Sequence, residues 1–216
     1  MYKLTMKKIA LFDVDLTITK SDTFFLFIPF IISKYPYKLI FIPYLLFVSF
    51  LKLIRVVSME FFKQSWLIFI NGLNINKIEN LSKEFFEKKV KSHLKSDIIE
   101  YINKLKNDGY TIVFATASFE FYIKYLSEYL NADYYFGTKV LFKDNKIISR
   151  IVGKNCKRQE KIYRILSVIN SEDIDRKNSI GFSDSLVDLP FLEIVDRFYL
   201  VHPKKWQIID SKIKSS

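Results

Sequence analysis

The chain has 216 residues, 50% of them apolar and 26% charged, which is enough apolar material for one core with a modest insertion and excludes wholesale disorder. One cysteine and two histidines, His93 and His202, exclude an intramolecular disulfide and a zinc site of four Cys and His ligands, leaving carboxylates as the natural ligands for a hard cation such as Mg²⁺. The net charge of +11 favours anionic partners: phosphate esters, nucleic acid or an acidic membrane face.

Along the chain, the apolar run Lys8 to Phe12 predicts a short buried strand ending in Asp13. Asp15 also interrupts this segment, so it does not read as a leader peptide, and with a single cysteine the expectation is a cytoplasmic protein. Residues 22–95 read as helical, with a turn around Gly72. Ile98, Ile99, Ile102 and Leu105 mark a helix stopped at Asn107-Asp108-Gly109. The β-branched run Tyr110 to Ala115 predicts a buried strand, and Phe121 to Leu130 a helix. Two runs, 138–142 and 146–152, flank Asp144-Asn145 as a hairpin. Gln159 to Ile169 reads as a helix, Ser179 to Phe182 as a strand before Asp184, and Phe198 to Val201 as the last strand. Strands alternating with helices imply an α/β fold, doubly wound around a mostly parallel sheet. Residues 23–95 carry 11 Lys or Arg against 4 Asp or Glu, a composition shift that marks an inserted helical module.

Chemistry concentrates at the predicted strand ends, where open parallel sheets bind ligands. Asp13-Val14-Asp15-Leu16-Thr17 follows the first strand. The acids serve either as turn and cap residues or as a pair aimed at one point. Thr116 and Ser118 end the second strand, and Ser118 alone would read as the N-cap of the next helix. Lys157 and Lys161 lie in a basic run that alone would read as a solvated face. Asp184 and Asp188 follow the third strand, placed by their spacing on one helix face with Asp184 at its N-cap. Acids, hydroxyls, lysine and acids in this order are hard to explain as four unrelated caps.

These motifs resemble the haloacid dehalogenase superfamily of phosphohydrolases, in the branch with phosphoserine phosphatase and phosphatidylglycerophosphatase. Asp13 to Thr17 is similar to the first motif, DxDxT; Thr116 matches the second, a lysine the third, and Asp184 to Asp188 the fourth. The resemblance implies a Rossmann-like core from residues 1–22 and 96–216 and a helical cap from 23–95. It further implies an aspartyl-phosphate on Asp13, acid–base work by Asp15, and Mg²⁺ held by Asp13, the main-chain carbonyl of Asp15, and Asp184. Thr116 and Lys161 would bind phosphate oxygens, with Lys157 the alternative lysine. Asp22, Ser118, Lys157 and Asp188 complete the candidate substrate-binding set, Asp188 orienting Lys161 or a metal-bound water. Leu16 stands where the family often has a small residue. Asp22 stands where phosphoserine phosphatases carry a Glu that reads the substrate's amino group.

Between residues 24 and 57 two apolar runs of 9 and 13 residues are separated by Lys34 and Lys38, each too short for a membrane span of about 20 residues. Ten aromatics and no acid lie in this stretch, with Lys34, Lys38, Lys52 and Arg55 at the edges of the runs. Either these side chains pack together over the site, and the substrate is a small soluble phosphomonoester. Or part of the surface meets the inner face of an anionic membrane, and the substrate is a lipid phosphate such as phosphatidylglycerophosphate. A phosphoryl-transferring mutase and a response-regulator receiver are rival readings, the latter needing neither the insertion nor the paired acids. No binding motif supports nucleic acid as the partner.

Overall fold

The computed structural model describes residues 6–213; the first five and last three residues of the expected core segments lie outside them. A six-stranded sheet runs in the order β3-β2-β1-β6-β7-β8, with β1 Ile9–Phe12, β2 Thr111–Phe119, β3 Tyr134–Thr138, β6 Ile180–Ser183, β7 Arg197–Val201 and β8 Ile208–Ile213. The first five strands in that order are parallel and β8 closes the edge antiparallel to β7. The doubly wound α/β expectation is met. The order of β1 and β6 matters for function. The chain leaves β1 to one side, through β2 and β3, and returns on the other side as β6. The crevice between the carboxyl ends of β1 and β6 is therefore a switch point.

Alternation along the strands divides the core into two layers. Ile9, Leu11, Val113 and Ala115 pack with Ile165 of α7 (Gln159–Leu166) and Phe191 and Leu192 of α8 (Leu189–Leu192). Ala10, Phe12, Ile112 and Phe114 face the other way. They share a cluster with Ile98, Ile102 and Leu105 of α5 (Ile98–Asn107) and Ile123 and Leu126 of α6 (Glu120–Tyr129).

Between β1 and β2 stand α1 (Thr23–Lys34), α2 (Ile42–Leu53), α3 (Met59–Trp66) and α4 (Ile75–Phe85), joined by short 3-10 turns, with one π-helical turn at Phe86–Val90. Gly72, at φ +80°, makes the turn before α4. The hairpin of β4 (Val140–Lys143) and β5 (Lys146–Ile151) turns at Asp144 and Asn145, both with positive φ (49° and 58°), as a two-residue primed turn requires. This hairpin belongs to the expected core segment by sequence, yet it bonds to the insertion. Gly72 N–H donates to Ile147 O at 2.8 Å, Ile147 N–H to Leu73 O at 2.9 Å, and Ile151 N–H to Gln64 Oε1 at 3.0 Å.

Three expectations need correction. Thr138 ends a parallel strand of the main sheet rather than opening the hairpin. Strand β8 has no sequence signal, because Ile208-Ile209-Asp210-Ser211-Lys212-Ile213 has neither alternation nor a continuous apolar run. The first apolar run, 24–32, forms the body of α1, but the helix around the second is longer than the run. The second lies inside one 18-residue helical stretch, Pro36–Leu53, because Pro36 opens a 3-10 turn that feeds directly into α2. By length and composition this stretch suffices to cross a membrane, and only 11% of it is buried.

Candidate active site

Asp13 follows β1 directly, and its N–H donates to Phe182 O of β6 at 3.0 Å, which carries the turn across the switch point. The N–H groups of Thr17, Ile18 and Thr19 then all point to Val14 O, at 3.2, 2.9 and 3.1 Å. This tight turn puts Leu16 at φ +61°, a left-handed conformation that costs a residue with a Cβ about 1–2 kcal/mol. It explains why a small residue suits this position. Lys95 holds the turn from below, donating to Leu16 O at 2.6 Å and to His202 O at 2.7 Å. Burial lowers its ammonium to about 8, against the pull of Asp184 and Asp13.

Helix α7 presents Lys161 in its first turn. The ammonium donates to Asp13 Oδ1 at 2.6 Å and to Asp188 Oδ2 at 2.8 Å, and the lysine side chain is 1% exposed. Ser183, the last residue of β6, donates to the same Asp188 oxygen at 3.1 Å. Burial alone would lower the lysine, but the two carboxylates hold it above its ordinary value. One ammonium between two carboxylates leaves a negative charge over. Burial, with Asp188 and Asp15 nearby, raises the Asp13 carboxyl well above the usual range despite Lys161. Of the two candidate lysines, Lys161 makes the buried contacts, while Lys157 stands exposed in the cavity wall.

Asp184 meets Asp13 at Thr17. The Thr17 hydroxyl lies 3.4 Å from Asp13 Oδ2 and 3.4 Å from Asp184 Oδ1, and it accepts the Asp184 N–H at 2.8 Å. Burial raises the Asp184 carboxyl. Asp184 is not the helix cap the spacing suggested. Ser185 takes that role, accepting from Val187 N–H at 3.2 Å before a 3-10 turn, Leu186–Asp188. The 3-10 turn brings Asp188 back to Lys161 instead of stacking it over Asp184.

These residues enclose a cavity of about 210 Å³ lined by Asp13, Asp15, Asp22, Asp184 and Asp188, with Lys157 and Lys161. A phosphate dianion meets five carboxylates here against two ammonium groups. A bound cation would offset that excess of negative charge. Among the described residues no three Asp, Glu, His or Cys side chains converge as a metal cluster. The carboxylates of Asp13 and Asp184, which meet at the Thr17 hydroxyl, would hold such a cation together with main-chain oxygen and water. That is how Mg²⁺ binds, by few carboxylates and several oxygens, so the residues present fit it.

The Asp15 carboxylate is held by four donors. Its Oδ1 accepts Thr23 N–H at 2.7 Å and Thr23 Oγ1–H at 2.6 Å, and its Oδ2 accepts Thr116 Oγ1–H at 2.9 Å and Ser118 Oγ–H at 2.7 Å. Thr116 and Ser118 are thus buried around Asp15, and the residue between them, Ala117, lines the cavity. Ser118 does not cap the next helix: β2 runs on through it to Phe119, which holds the N-cap position of α6 without a side-chain bond. Asp22 lines the cavity and caps α1, accepting Phe24 N–H at 2.9 Å. Burial, then Asp15, raises its carboxyl to about 6.

Sequence reasoning missed Lys63 and Lys95. Lys63 comes from α3, is 7% exposed, and donates to Ala117 O at 2.8 Å beneath the cavity wall. Burial lowers its ammonium, while Asp15 and Asp22 oppose that shift. The only available signal was a lysine beside Phe62 on the apolar side of a short helix. Nothing in the neighbourhood of Lys95 in the sequence marks it as buried.

The family model described as haloacid dehalogenase-like hydrolase matches residues 10–193 of this chain. The chain belongs to the haloacid dehalogenase-like hydrolase family. Across 129 residues it is 27% identical to protein CicA of Caulobacter vibrioides, covering 59% of this chain and 57% of that one. Across 90 residues it is 26% identical to the phosphoserine phosphatase of Methanocaldococcus jannaschii, covering 42% and 43%. The chain thus spans about half the length of the curated relatives it matches. Among solved structures, a protein with unknown function from Bordetella pertussis Tohama I superposes with a TM-score of 0.79 at 19% identity over 92% of both chains. A phospho-aspartyl intermediate analogue of phosphoserine phosphatase superposes with a TM-score of 0.61 at 20% identity, covering 91% and 87%. At such identities the solved structures establish a shared fold, and the resemblance read from the motifs is borne out.

Proposed function

We propose that this hydrolase is a Mg²⁺-dependent phosphomonoesterase that works through an aspartyl-phosphate on Asp13. The observation that carries the reading is Asp13 at the sheet's switch point, bonded to buried Lys161 and sharing the Thr17 hydroxyl with Asp184. That two of its relatives by sequence or fold are phosphoserine phosphatases supports it. An Asp13 oxygen forms a bond to phosphorus as the bond to the alcohol oxygen breaks. Asp15 gives that oxygen its proton. Water then attacks the phosphoryl group, Asp15 takes the proton back, and the Asp13–phosphorus bond breaks to release phosphate. The hydroxyls of Thr23, Thr116 and Ser118 suit both states of Asp15, because each rotates from donor to acceptor. Lys161 offsets charge on the phosphoryl oxygens, positioned by Asp188 and Ser183. Mg²⁺, held by Asp13, Asp184 and the Asp15 carbonyl, would supply the charge neutralisation that the acidic wall lacks.

The test is hydrolysis of para-nitrophenyl phosphate by the full chain. Turnover should require Mg²⁺, stop with excess EDTA, and vanish in a folded Asp13→Asn variant. Activity surviving in that variant would remove Asp13 as nucleophile.

A second observation favours a lipid phosphate over a small soluble ester. The two readings of the aromatic insertion separate by helix. Phe27 and Phe30 of α1 pack on Phe85 and Tyr122, with centroids 5.1–5.2 Å apart across the Phe27–Phe85, Phe30–Phe85 and Phe85–Tyr122 contacts. The stretch 36–56 instead exposes Ile40 (79%), Leu46, Phe47, Phe50, Leu53 (79%) and Val56. Helix α2 buries only Leu45 and Val48, so it lies along the surface with its other faces bare. An exposed apolar patch of this kind suits an interface-lying helix. The cations are fewer than the sequence suggested: Lys34 pairs with Glu84 at 2.5 Å, and Lys38 donates to Ile68 O and Phe69 O at 3.3 and 3.1 Å. In this reading the protein is peripheral on an anionic membrane surface, and the insertion serves as the cap that meets it.

A further inference from the structure

The cavity around Asp13, of about 210 Å³, is a small one. It accommodates a phosphoryl group and a cation, and the alcohol side of an ester must extend beyond it. A second cavity, of about 840 Å³, adjoins it, and Lys157 stands in the wall of both. The two are opposite in charge. The catalytic cavity carries five acids and two lysines; the second is lined by Lys52, Lys154, Lys157 and Arg158 against Glu60 and Glu160.

Of the two acids, Glu160 is neutralised by a cation outside the wall, while Glu60 keeps its charge, which leaves three cations in excess. Glu160 pairs with Arg164 at 2.9 Å, and Glu60 Oε1 accepts Asn155 N–H at 3.3 Å. Among the described residues none of the four cations has an ion-pair partner. The cluster is also assembled from afar: Lys52 ends α2, while Lys154 to Arg158 lead into α7, with Arg158 held at φ +54°. Four unpaired cations brought together by the insertion and the core repel one another. An anion seated among them removes that repulsion.

We infer that the basic cavity is a subsite for a second anionic group, of phosphate or phosphodiester type, on the alcohol side of the scissile ester. The inference deepens the phosphatase reading and rests on it. The preferred substrate then carries two anions: the monoester hydrolysed at Asp13 and a second group held by Lys52, Lys154, Lys157 and Arg158. Such a substrate comes either as a soluble bisphosphate or as a lipid whose headgroup carries both, and Lys52 brings the last turn of the exposed helix α2 to the cavity wall.

The experiment compares substrates in two pairs. The soluble pair is propane-1,3-diol bisphosphate against propyl phosphate. The lipid pair is phosphatidylglycerophosphate against phosphatidate, both in detergent micelles. The two-anion member should be favoured in kcat/KM by about tenfold or more, in line with a charge-assisted contact. The triple variant Lys52→Gln/Lys154→Gln/Arg158→Gln should bring that ratio close to one. Preference in the soluble pair identifies the bisphosphate as sufficient, and preference confined to the lipid pair identifies the headgroup. Equal kcat/KM within both pairs, or a ratio unmoved in the triple variant, overturns the subsite. Binding decides independently of turnover. In Asp13→Asn protein, calorimetric titration of propane-1,3-diyl bisphosphonate against propylphosphonate should show the same preference and its loss in the triple variant. If no ester is turned over, the phosphatase reading fails while the titration still judges the subsite.

Discussion

At Asp13 and Asp188 one buried ammonium serves two carboxylates, and the cost of removing it follows directly. Lys161→Ala leaves two buried acids facing each other and should destabilise the fold by about 3–5 kcal/mol. It should also abolish turnover. Lys157→Ala removes an exposed side chain and should change stability by less than about 0.5 kcal/mol; urea denaturation of the two variants measures the difference. Asp22 gives a pH signature. Its folded value of about 6 lies above its unfolded value of 3.8, so between those pH values the folded state binds more protons. Its favourable contribution is present below about pH 4 and is lost as pH rises through 6. Asp22→Asn keeps the helix cap and should therefore gain up to about 3 kcal/mol at pH 7 and nothing at pH 3.5. A gain that is the same at both pH values would contradict the assignment. At Leu16 the positive φ favours Leu16→Gly over Leu16→Ala by about 1 kcal/mol, read as a difference in thermal midpoint.

At the level of elements, β3 and the start of α6 approach closely at Gly137. A Cβ added to Gly137 would lie 2.7 Å from the Glu120 Cα and 2.9 Å from Ser118 O, both backbone atoms. Backbone does not give way cheaply, so Gly137→Ala should cost about 3 kcal/mol. At Gly181 the nearest atom is the Leu192 Cδ2, at 2.8 Å, the far end of a side chain that can change rotamer. Gly181→Ala should cost distinctly less, and denaturation of both variants orders them. Gly137 also anchors Arg164: the Arg164 guanidinium donates to Gly137 O and, at 2.9 Å, to Lys154 O. Strain at β3 thus reaches the loop that delivers Lys157 and Lys161.

For the molecule as a whole, the distribution of apolar surface sets the expected behaviour. Ile40, Phe47 and Leu53 are exposed and not counted among the core residues, so Ile40→Asp/Phe47→Asp/Leu53→Asp should leave the folded fraction unchanged. If the helix lies in a membrane interface, each lost apolar contact is worth about 1.5–3 kcal/mol when fully buried. Binding to anionic vesicles should then fall by at least about a hundredfold. The wild type should bind less tightly at high salt without losing binding altogether, because the apolar contribution is not screened. Wild-type protein that stays free of anionic vesicles at low salt would remove the membrane reading.

The strand-ending acids, the β-branched strands and the basic, aromatic insertion were all legible in the amino-acid sequence. Each depends on local chemistry: a short β-branched run bounded by turn residues or acids favours a buried strand, whereas the longer Phe- and Leu-rich runs of the insertion form helices, and Asp13 and Asp15 follow the first strand in the chain. Asp144-Asn145 likewise set their own turn. The sequence already favours Lys161 over Lys157. Only the tertiary structure puts the Lys161 ammonium between two buried carboxylates, because that depends on the register of α7 against a carboxylate 148 residues away. It alone showed Lys63 and Lys95 as buried, since a lysine's burial depends on carbonyls supplied by distant segments. It turned Thr116 and Ser118 toward Asp15, a carboxylate that local spacing could not show to need four donors. It also decided which aromatics pack and which stay bare. α1 and α2 are similarly apolar in sequence, but only α1 meets α6 and α4, and packing partners are a property of the fold rather than of the segment.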